Sequence, residues 1–505
     1  MAKISVDGTE IEVQDGINVI EAAKAAGVHV PHFCYHPALS VVGQCRMCLV
    51  EVEGIPKLQA GCATSVKDGM KIHVYNEKVD KARKGQMEFL LINHPLDCPI
   101  CDKAGECPLQ DYSFNYGSVT SRYGEVKRIY PGMDRTSVGP HVLQNMNRCI
   151  HCTRCIRFCD EITGTGELGF FKRGASTEVG VFPGRPLDNW MSANVTDICP
   201  TGALTTREFR FESRVWNLAS TESVCNGCDV GCNLFIEHRS GKIYRYKPRV
   251  NPEVNDFWLC DYGRFSHERY EVDRVVAPKV RRDDWLGVAT WDEAMDAIET
   301  ALRDVPGDRI AALASAQMTN EEAALFKAIF VDHLASPHVD AYVDPIGPIP
   351  MKSRTEWIEG TQAGPNLRGV RAAGVEPTGR KASDLLERGA DGIDFLYVAD
   401  ASFSPRAKEP ETVANLRKAK FLVVHAWEAH PLTEVADVVL PAALFAEKSG
   451  SWTNLQGRVQ EFRQAYPPKG EALEDWEILR RLGARLFGGE PFETPQAASG
   501  AAAGR

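Results

Sequence analysis

Residues 32–62 read HFCYHPALSVVGQCRMCLVEVEGIPKLQAGC. The pair Cys45 and Cys48 is spaced Cys-x2-Cys, with single cysteines upstream at Cys34 and downstream at Cys62. A loop carrying one close pair and two outlying thiols is the layout of a plant-type [2Fe–2S] site. Ten residues separate Cys34 from Cys45, where the plant spacing has four, so the loop is longer but the type of site is the same. Tetrahedral zinc also suits this spacing and stays open as an alternative. His32 and His36 read as loop residues and not as ligands. Ahead of the loop, KISVDGTEIEV (3–13) predicts two short strands around an Asp-Gly turn, and INVIEAAKAAG (17–27) a helix stopped by Gly27. Residues 1–78 are therefore expected to form a small β-rich domain.

Three further sets follow. The stretch 93–107, NHPLDCPICDKAGEC, places His94, Cys98, Cys101 and Cys107 in the spacing His-x3-Cys-x2-Cys-x5-Cys. It is delivered by a helical pattern over 76–92. One imidazole and three thiolates can hold zinc or a [4Fe–4S] cluster, and the spacing alone does not choose. The neighbouring sets favour the cluster. A neutral imidazole in place of a thiolate removes one negative charge and should raise the reduction potential. In RCIHCTRCIRFCDE (148–161), Cys149, Cys152 and Cys155 match the first three ligands of a two-cluster ferredoxin run, and the fourth ligand comes from the distant Cys199-Pro200. Counting back from Cys199, the second cluster's other ligands would be Val195, Ser192 and Asn189, which cannot serve. Cys149, Cys152, Cys155 and Cys199 thus make one complete set, and Cys159 is left as a buried thiol. The last set is Cys225, Cys228, Cys232 and Cys260 in the spacing Cys-x2-Cys-x3-Cys-x27-Cys, again a [4Fe–4S] reading with zinc as the alternative.

All 16 cysteines lie between residues 34 and 260, and none follows. The start, MAKISVDGTE, has no apolar signal segment, which predicts a cytoplasmic chain whose short Cys-x2-Cys spacings serve metal and not disulfides. The net charge of −10 gives a nucleic-acid partner no support. No apolar run is long enough for a membrane span; AKFLVVHAWEA (419–429) and ADVVLPAALFA (436–446) read as buried strands. GTGELG (164–169) matches the dinucleotide pattern but lacks a strand before it and a helix after it. No flavin, nicotinamide or hydrolytic site is evident, so no catalytic residue is expected on this chain.

The second half changes texture. TWDEAMDAIETALRDV predicts a helix capped by Thr290, RIAALAS a strand and NEEAALFKAIFVDHLA a helix. IDFLYVADAS, PETVANLRKA and KFLVVHAWEA then continue as strand, helix and strand. This alternation predicts a parallel sheet with covering helices. Residues 340–390, rich in Pro and Gly, read mostly as loop, and TPQAASGAAAGR at the end as a disordered tail.

HFCYHPALSVVGQCRMCLVEVEG, HPLDCPICDKAGECPLQD, NRCIHCTRCIRFC and VTDICPTGALT together resemble the large iron–sulfur subunit of bacterial NADH–quinone oxidoreductase, respiratory complex I. EVADVVLPAALFAEKSGSWTNLQGRVQEF (434–462) resembles the molybdopterin-oxidoreductase domain of that subunit. The fold class is then a multidomain α/β and α+β chain. Its expected divisions are a plant-type ferredoxin-like β-grasp [2Fe–2S] domain 1–78, the [4Fe–4S] segment with one histidine and three cysteine ligands 79–118, a ferredoxin-like [4Fe–4S] domain 119–215 and a molybdopterin-oxidoreductase-type [4Fe–4S] domain 216–275. A shortened molybdopterin-oxidoreductase-like domain without molybdenum (276–490) and a flexible tail (491–505) complete it. The absence of cysteine after Cys260 and the shortness of the second half agree with the lack of molybdenum. Tyr262 stands where molybdoenzymes of this class commonly carry a basic residue two positions after the last ligand.

The resemblance implies one [2Fe–2S] and three [4Fe–4S] clusters relaying single electrons. They would enter from a flavin- and NADH-binding partner, pass the Cys34, Cys149 and His94 sets, and leave through other peripheral-arm subunits toward quinone. The Cys225 cluster would lie off that path and serve stability. The complex would be a proton-pumping translocase, with this subunit at the cytoplasmic face of the inner membrane and touching the membrane only through the complex. Two rivals remain: a formate dehydrogenase-like molybdoenzyme, for which a molybdenum ligand is missing, and a zinc-stabilised scaffold without redox function.

Overall fold

A computed structural model describes residues 1–270, 272–399 and 405–488, which divide into two compact units, Met1–Leu218 and Ala219–Arg505. In the first unit, strands Ala2–Val6 and Thr9–Val13 form the expected hairpin. Its turn takes Asp7 and Gly8 through positive φ (47° and 87°), the conformation an Asp-Gly pair tolerates. Strand Ala2–Val6 also pairs in parallel with Lys71–His73, which joins Leu49–Val52 and Gln59–Ala60 in a five-stranded sheet. Helix Val19–Ala25, capped by the Asn18 side chain on Glu21 N, buries Val19, Ile20, Ala22 and Ala23 against that sheet, together with Val6, Val50 and Ile72. This is a β-grasp core, and the Cys34–Cys48 loop lies between its helix and strand Leu49–Val52.

Helix Glu77–Leu91, capped by Asn76 on Val79 N, runs to His94 as the sequence predicts. The rest of the unit is held by short elements. These include helix Pro108–Tyr116, a three-stranded sheet of Thr136–Ser137, Val142–Gln144 and Leu204–Thr206, and the one-turn helix Arg154–Arg157 continued by a π-helical turn Phe158–Ile162.

The second unit opens with an antiparallel sheet, Ala219–Val224, Asn233–Arg239 and Lys242–Pro248. The loop joining its first two strands carries Cys225, Cys228 and Cys232. A seven-stranded sheet follows in the order Trp285–Val288, Lys279–Arg282, Val438–Pro441, Phe421–Ala426, Phe395–Ala399, Ile310–Ser315, His338–Tyr342. The last five are parallel, as the alternation predicts. Two apolar clusters flank the sheet. One holds Ile298, Phe326, Phe330 and Leu482, the other Leu385, Leu416 and Leu432. Helix Trp291–Leu302 begins with the expected Thr290 cap, completed by Glu293 as a reciprocal box.

Two features depart from the sequence reading. The sheet carries two antiparallel strands at one edge, Lys279–Arg282 and Trp285–Val288, which no alternation signalled. The 340–390 segment is not mostly loop: it contains the hairpin Pro345–Lys352 with Trp357–Gln362 and helices Leu367–Ala372 and Ala382–Arg388. Proline is allowed in that hairpin because a two-stranded ribbon has only edges, where a missing N–H costs no ladder bond. The strand prediction over Asp400–Ser402 and the tail prediction over 491–505 lie outside the described residues.

Candidate cluster-binding sites

Cys34, Cys45, Cys48 and Cys62 are all buried. Interactions among the four thiols hold Cys34 and Cys48 below an ordinary thiol and Cys45 and Cys62 above it. Backbone N–H groups of Phe33 and Cys34 point at Cys45 Sγ from 3.4 and 3.5 Å. Hydrogen bonds of this kind to sulfur tune an iron–sulfur centre. His32 and His36 are turned to the backbone instead, His32 Nδ1 to Val30 O at 2.8 Å and His36 Nδ1 accepting from Ala38 N at 3.2 Å.

Cys149, Cys152, Cys155 and Cys199 line one small cavity with Ile150 and Pro200. The chain reaches this arrangement by passing His151 and Thr153 through left-handed backbone (φ 54° and 64°), which turns the three near cysteines to one side. His151 N points at Cys149 Sγ from 3.4 Å. Burial, and then the neighbouring thiols, push Cys149 and Cys155 up. Cys159 is fully buried on the π-helical turn, and burial, then the nearby Glu167 carboxyl, raises its thiol. Sequence spacing did not reveal Glu167 as a neighbour of the leftover thiol.

In the second unit, Cys225, Cys228, Cys232 and Cys260 are each at most 4% exposed. Their space is kept by glycine. A Cβ on Gly263 would stand 2.8 Å from Cys225 Sγ and one on Gly360 2.8 Å from Cys228 Sγ, too close for any side chain. The N–H groups of Gly227 and Gly263 point at Cys225 Sγ and Cys260 Sγ from 3.4 and 3.3 Å. Tyr262 is not basic, but the structure brings a cation from elsewhere: the Arg269 guanidinium lies 5.0 Å from the Tyr262 ring centroid and interacts with Cys225.

The His94 set is the loosest. Cys101 and Cys107 are buried, while Cys98 is the one exposed cysteine of the chain. Burial pushes the His94 imidazole down to about 4, helped by Arg148 and Lys127, and its buried Nδ1 has no hydrogen-bond partner. A neutral ring with an unclaimed nitrogen is what a metal ligand requires. A Cβ on Gly202 would overlap Cys101 Sγ. Gly202→Ala is therefore expected to displace that sulfur and lower the iron content by about four atoms per chain, measured by elemental analysis; unchanged iron would refute this.

Among the described residues, no group of three or more His, Cys, Asp or Glu side chains is placed to hold a single metal ion. An iron–sulfur cluster makes a different demand, because its sulfides and irons fill the space between the cysteine sulfurs. Largely buried cysteine sets, with N–H groups aimed at sulfur and glycines cleared beside it, fit an iron–sulfur protein.

Family models match along the chain: a 2Fe-2S iron-sulfur cluster binding domain at 1–77, an NADH-ubiquinone oxidoreductase-G iron-sulfur binding region at 83–122 and an NADH-quinone oxidoreductase subunit 3 ferredoxin-like domain at 139–205. An NADH-ubiquinone oxidoreductase NDSU1/NuoG-like 4Fe-4S domain follows at 218–268, and molybdopterin oxidoreductase at 360–485. The G-type subunit of the NADH-quinone oxidoreductase of Rickettsia conorii is 44% identical over 591 aligned positions, covering 96% of this chain and 88% of that protein. The mitochondrial NADH-ubiquinone oxidoreductase 78 kDa subunit of Candida albicans is 31% identical, covering 97% and 83%. A solved NAD+-reducing [NiFe]-hydrogenase aligns on 42% of this chain and 91% of that one, with 28% identity and a TM-score of 0.38, too slight a likeness to carry weight. The chain belongs to the family of G-type NADH-quinone oxidoreductase subunits and the mitochondrial 75 and 78 kDa subunits.

Proposed function

We propose that this chain is the electron-relay subunit of a proton-pumping NADH–quinone oxidoreductase, holding one [2Fe–2S] and three [4Fe–4S] clusters. The observation that carries the reading is the gathering of fifteen of the sixteen cysteines, with His94, into four sets along a chain of this family. Cys34, Cys45, Cys48 and Cys62 would hold the [2Fe–2S] cluster. His94, Cys98, Cys101 and Cys107, then Cys149, Cys152, Cys155 and Cys199, then Cys225, Cys228, Cys232 and Cys260 would hold the [4Fe–4S] clusters. Such clusters accept and release single electrons. The chain's own residues fix the sulfur positions, exclude water and aim N–H groups at sulfur. The neutral imidazole of His94 lowers the anionic charge of its set. The partners are a flavin- and NADH-binding subunit on the entry side and other peripheral-arm subunits on the exit side, at the cytoplasmic face of the membrane. No helix among the described residues is long and apolar enough to cross a membrane. The second half, without a cysteine for molybdenum, acts as scaffold.

Counting metals in anaerobically prepared protein tests this. About 14 iron atoms per chain, with neither zinc nor molybdenum, is the expected result. About four zinc atoms would replace the reading with a structural scaffold, and stoichiometric molybdenum with a molybdoenzyme.

A further inference from the structure

Two guanidinium groups are inserted between the Cys34 and Cys149 sets without an acidic partner among the described residues. Arg154 and Arg157 lie three residues apart on the helix Arg154–Arg157, so they leave the same face. Arg157, 8% exposed, donates to Cys34 O at 2.5 Å and Cys152 O at 3.4 Å, spanning one backbone carbonyl from each set. It also donates to Ser40 O, and its Nε to Thr153 Oγ1 at 3.1 Å. Arg154 donates to Ile198 O at 3.1 Å and to Tyr35 O, and its buried Nε has no partner. Every acceptor of the pair is a carbonyl or a hydroxyl. The electrostatic neighbours of Arg154 are the sulfurs of Cys152, Cys199, Cys34 and Cys45, two from each set. A buried charge is costly unless an opposite charge answers it, and carbonyl dipoles answer it only in part. The missing negative charge is what two thiolate-ligated clusters would bring.

We infer that Arg154 and Arg157 are a shared counter-charge for the two clusters, raising the reduction potential of both. The inference rests on the ligand sets proposed above. Each one-electron reduction adds a negative charge to a cluster. A cation held in a poorly screened interior favours that state, and a cation between two clusters favours it at both. Arg154 and Arg157 are positioning residues in this scheme: they touch ligand backbone and face ligand sulfur, and transfer nothing themselves.

Potentiometry followed by electron paramagnetic resonance on the assembled complex tests the inference. Iron content and both signals are recorded first in the unmodified complex; their absence would overturn the ligand sets themselves, and the inference with them. In Arg154→Gln both midpoints are expected to fall enough to change the reduced-to-oxidised ratio at a fixed potential about tenfold, which is about 59 mV for a one-electron couple. Arg154→Lys, which keeps the charge, is expected to recover most of that shift. Unmoved midpoints, a fall at one cluster alone, or a Lys variant as low as the Gln variant would overturn the shared counter-charge while leaving the ligand sets intact. If Arg154→Gln loses iron, Arg157→Gln carries the same comparison, with the same fall at both clusters expected and unmoved midpoints overturning it.

Discussion

The Cys152→Ser variant is expected to reduce electron flow from NADH to quinone by about a hundredfold or more in the assembled complex. Even groups that only support a metal ligand cost about 10- to 100-fold when removed, and Cys152 is placed as a ligand itself. Serine keeps the size of the side chain but presents a hard, protonated oxygen where a soft thiolate is needed. Cys152 is buried beside Cys149, Cys155 and Cys199, so solvent cannot readily supply a substitute ligand. The measurements are NADH–quinone activity and iron per complex. Iron should fall by about four atoms. Full activity with full iron would remove the Cys149 set from the relay.

The second large effect belongs to the scaffold half. Lys448, almost fully buried, meets Glu322 at 2.9 Å and Asp475, and Asp475 accepts from His425 Nε2 at 2.8 Å. His425 Nδ1 lies 3.2 Å from the Tyr397 hydroxyl. Burial pushes the Glu322 carboxyl up to about 8. At Asp475 burial acts in the same sense, but Lys448 and His425 outweigh it and hold that carboxyl below the usual range. Lys448 therefore stands between two buried carboxyls, of which Asp475 is held the more acidic. Removing the cation strands a buried carboxylate, and breaking a buried pair from one side costs about 3–5 kcal/mol. Lys448→Met should show that loss as faster amide hydrogen exchange in strands Phe421–Ala426 and Phe395–Ala399, which this network ties through His425 and Tyr397 to helices Asn320–Lys327 and Asp475–Phe487. A global melting temperature is a poorer probe, since a two-unit chain need not unfold in one step. Exchange unchanged in both strands would mean that the network adds nothing to stability.

The proposed cysteine sets can be read from the sequence because a cluster site is written largely as short, fixed spacings. The Asp-Gly hairpin, the Thr290 cap and the parallel strands were legible for the same reason: each depends on residues a few positions apart. His94 could be read as a ligand candidate from its place before Cys98, although its unclaimed Nδ1 is visible only once the chain is folded. The edge strands Lys279–Arg282 and Trp285–Val288 escaped because their place in the sheet depends on Val438–Pro441, far along the chain. The Pro345–Gln362 hairpin escaped because its prolines argue against strand unless the strand is known to be an edge.

By itself the sequence grouped the thiols into the sets proposed above, placed them all in the first half or just beyond it, and determined that the second half is an alternating α/β domain. Those are consequences of local spacing and periodicity. Only the tertiary structure decided what surrounds the sites. It sets the Glu167 carboxyl near Cys159, brings Arg269 to Tyr262 and places Arg154 and Arg157 between two cysteine sets. It also joins Lys448 to Glu322 across 126 residues of chain. Charge and burial act through space, and in a folded chain the nearest charge is often far away in sequence.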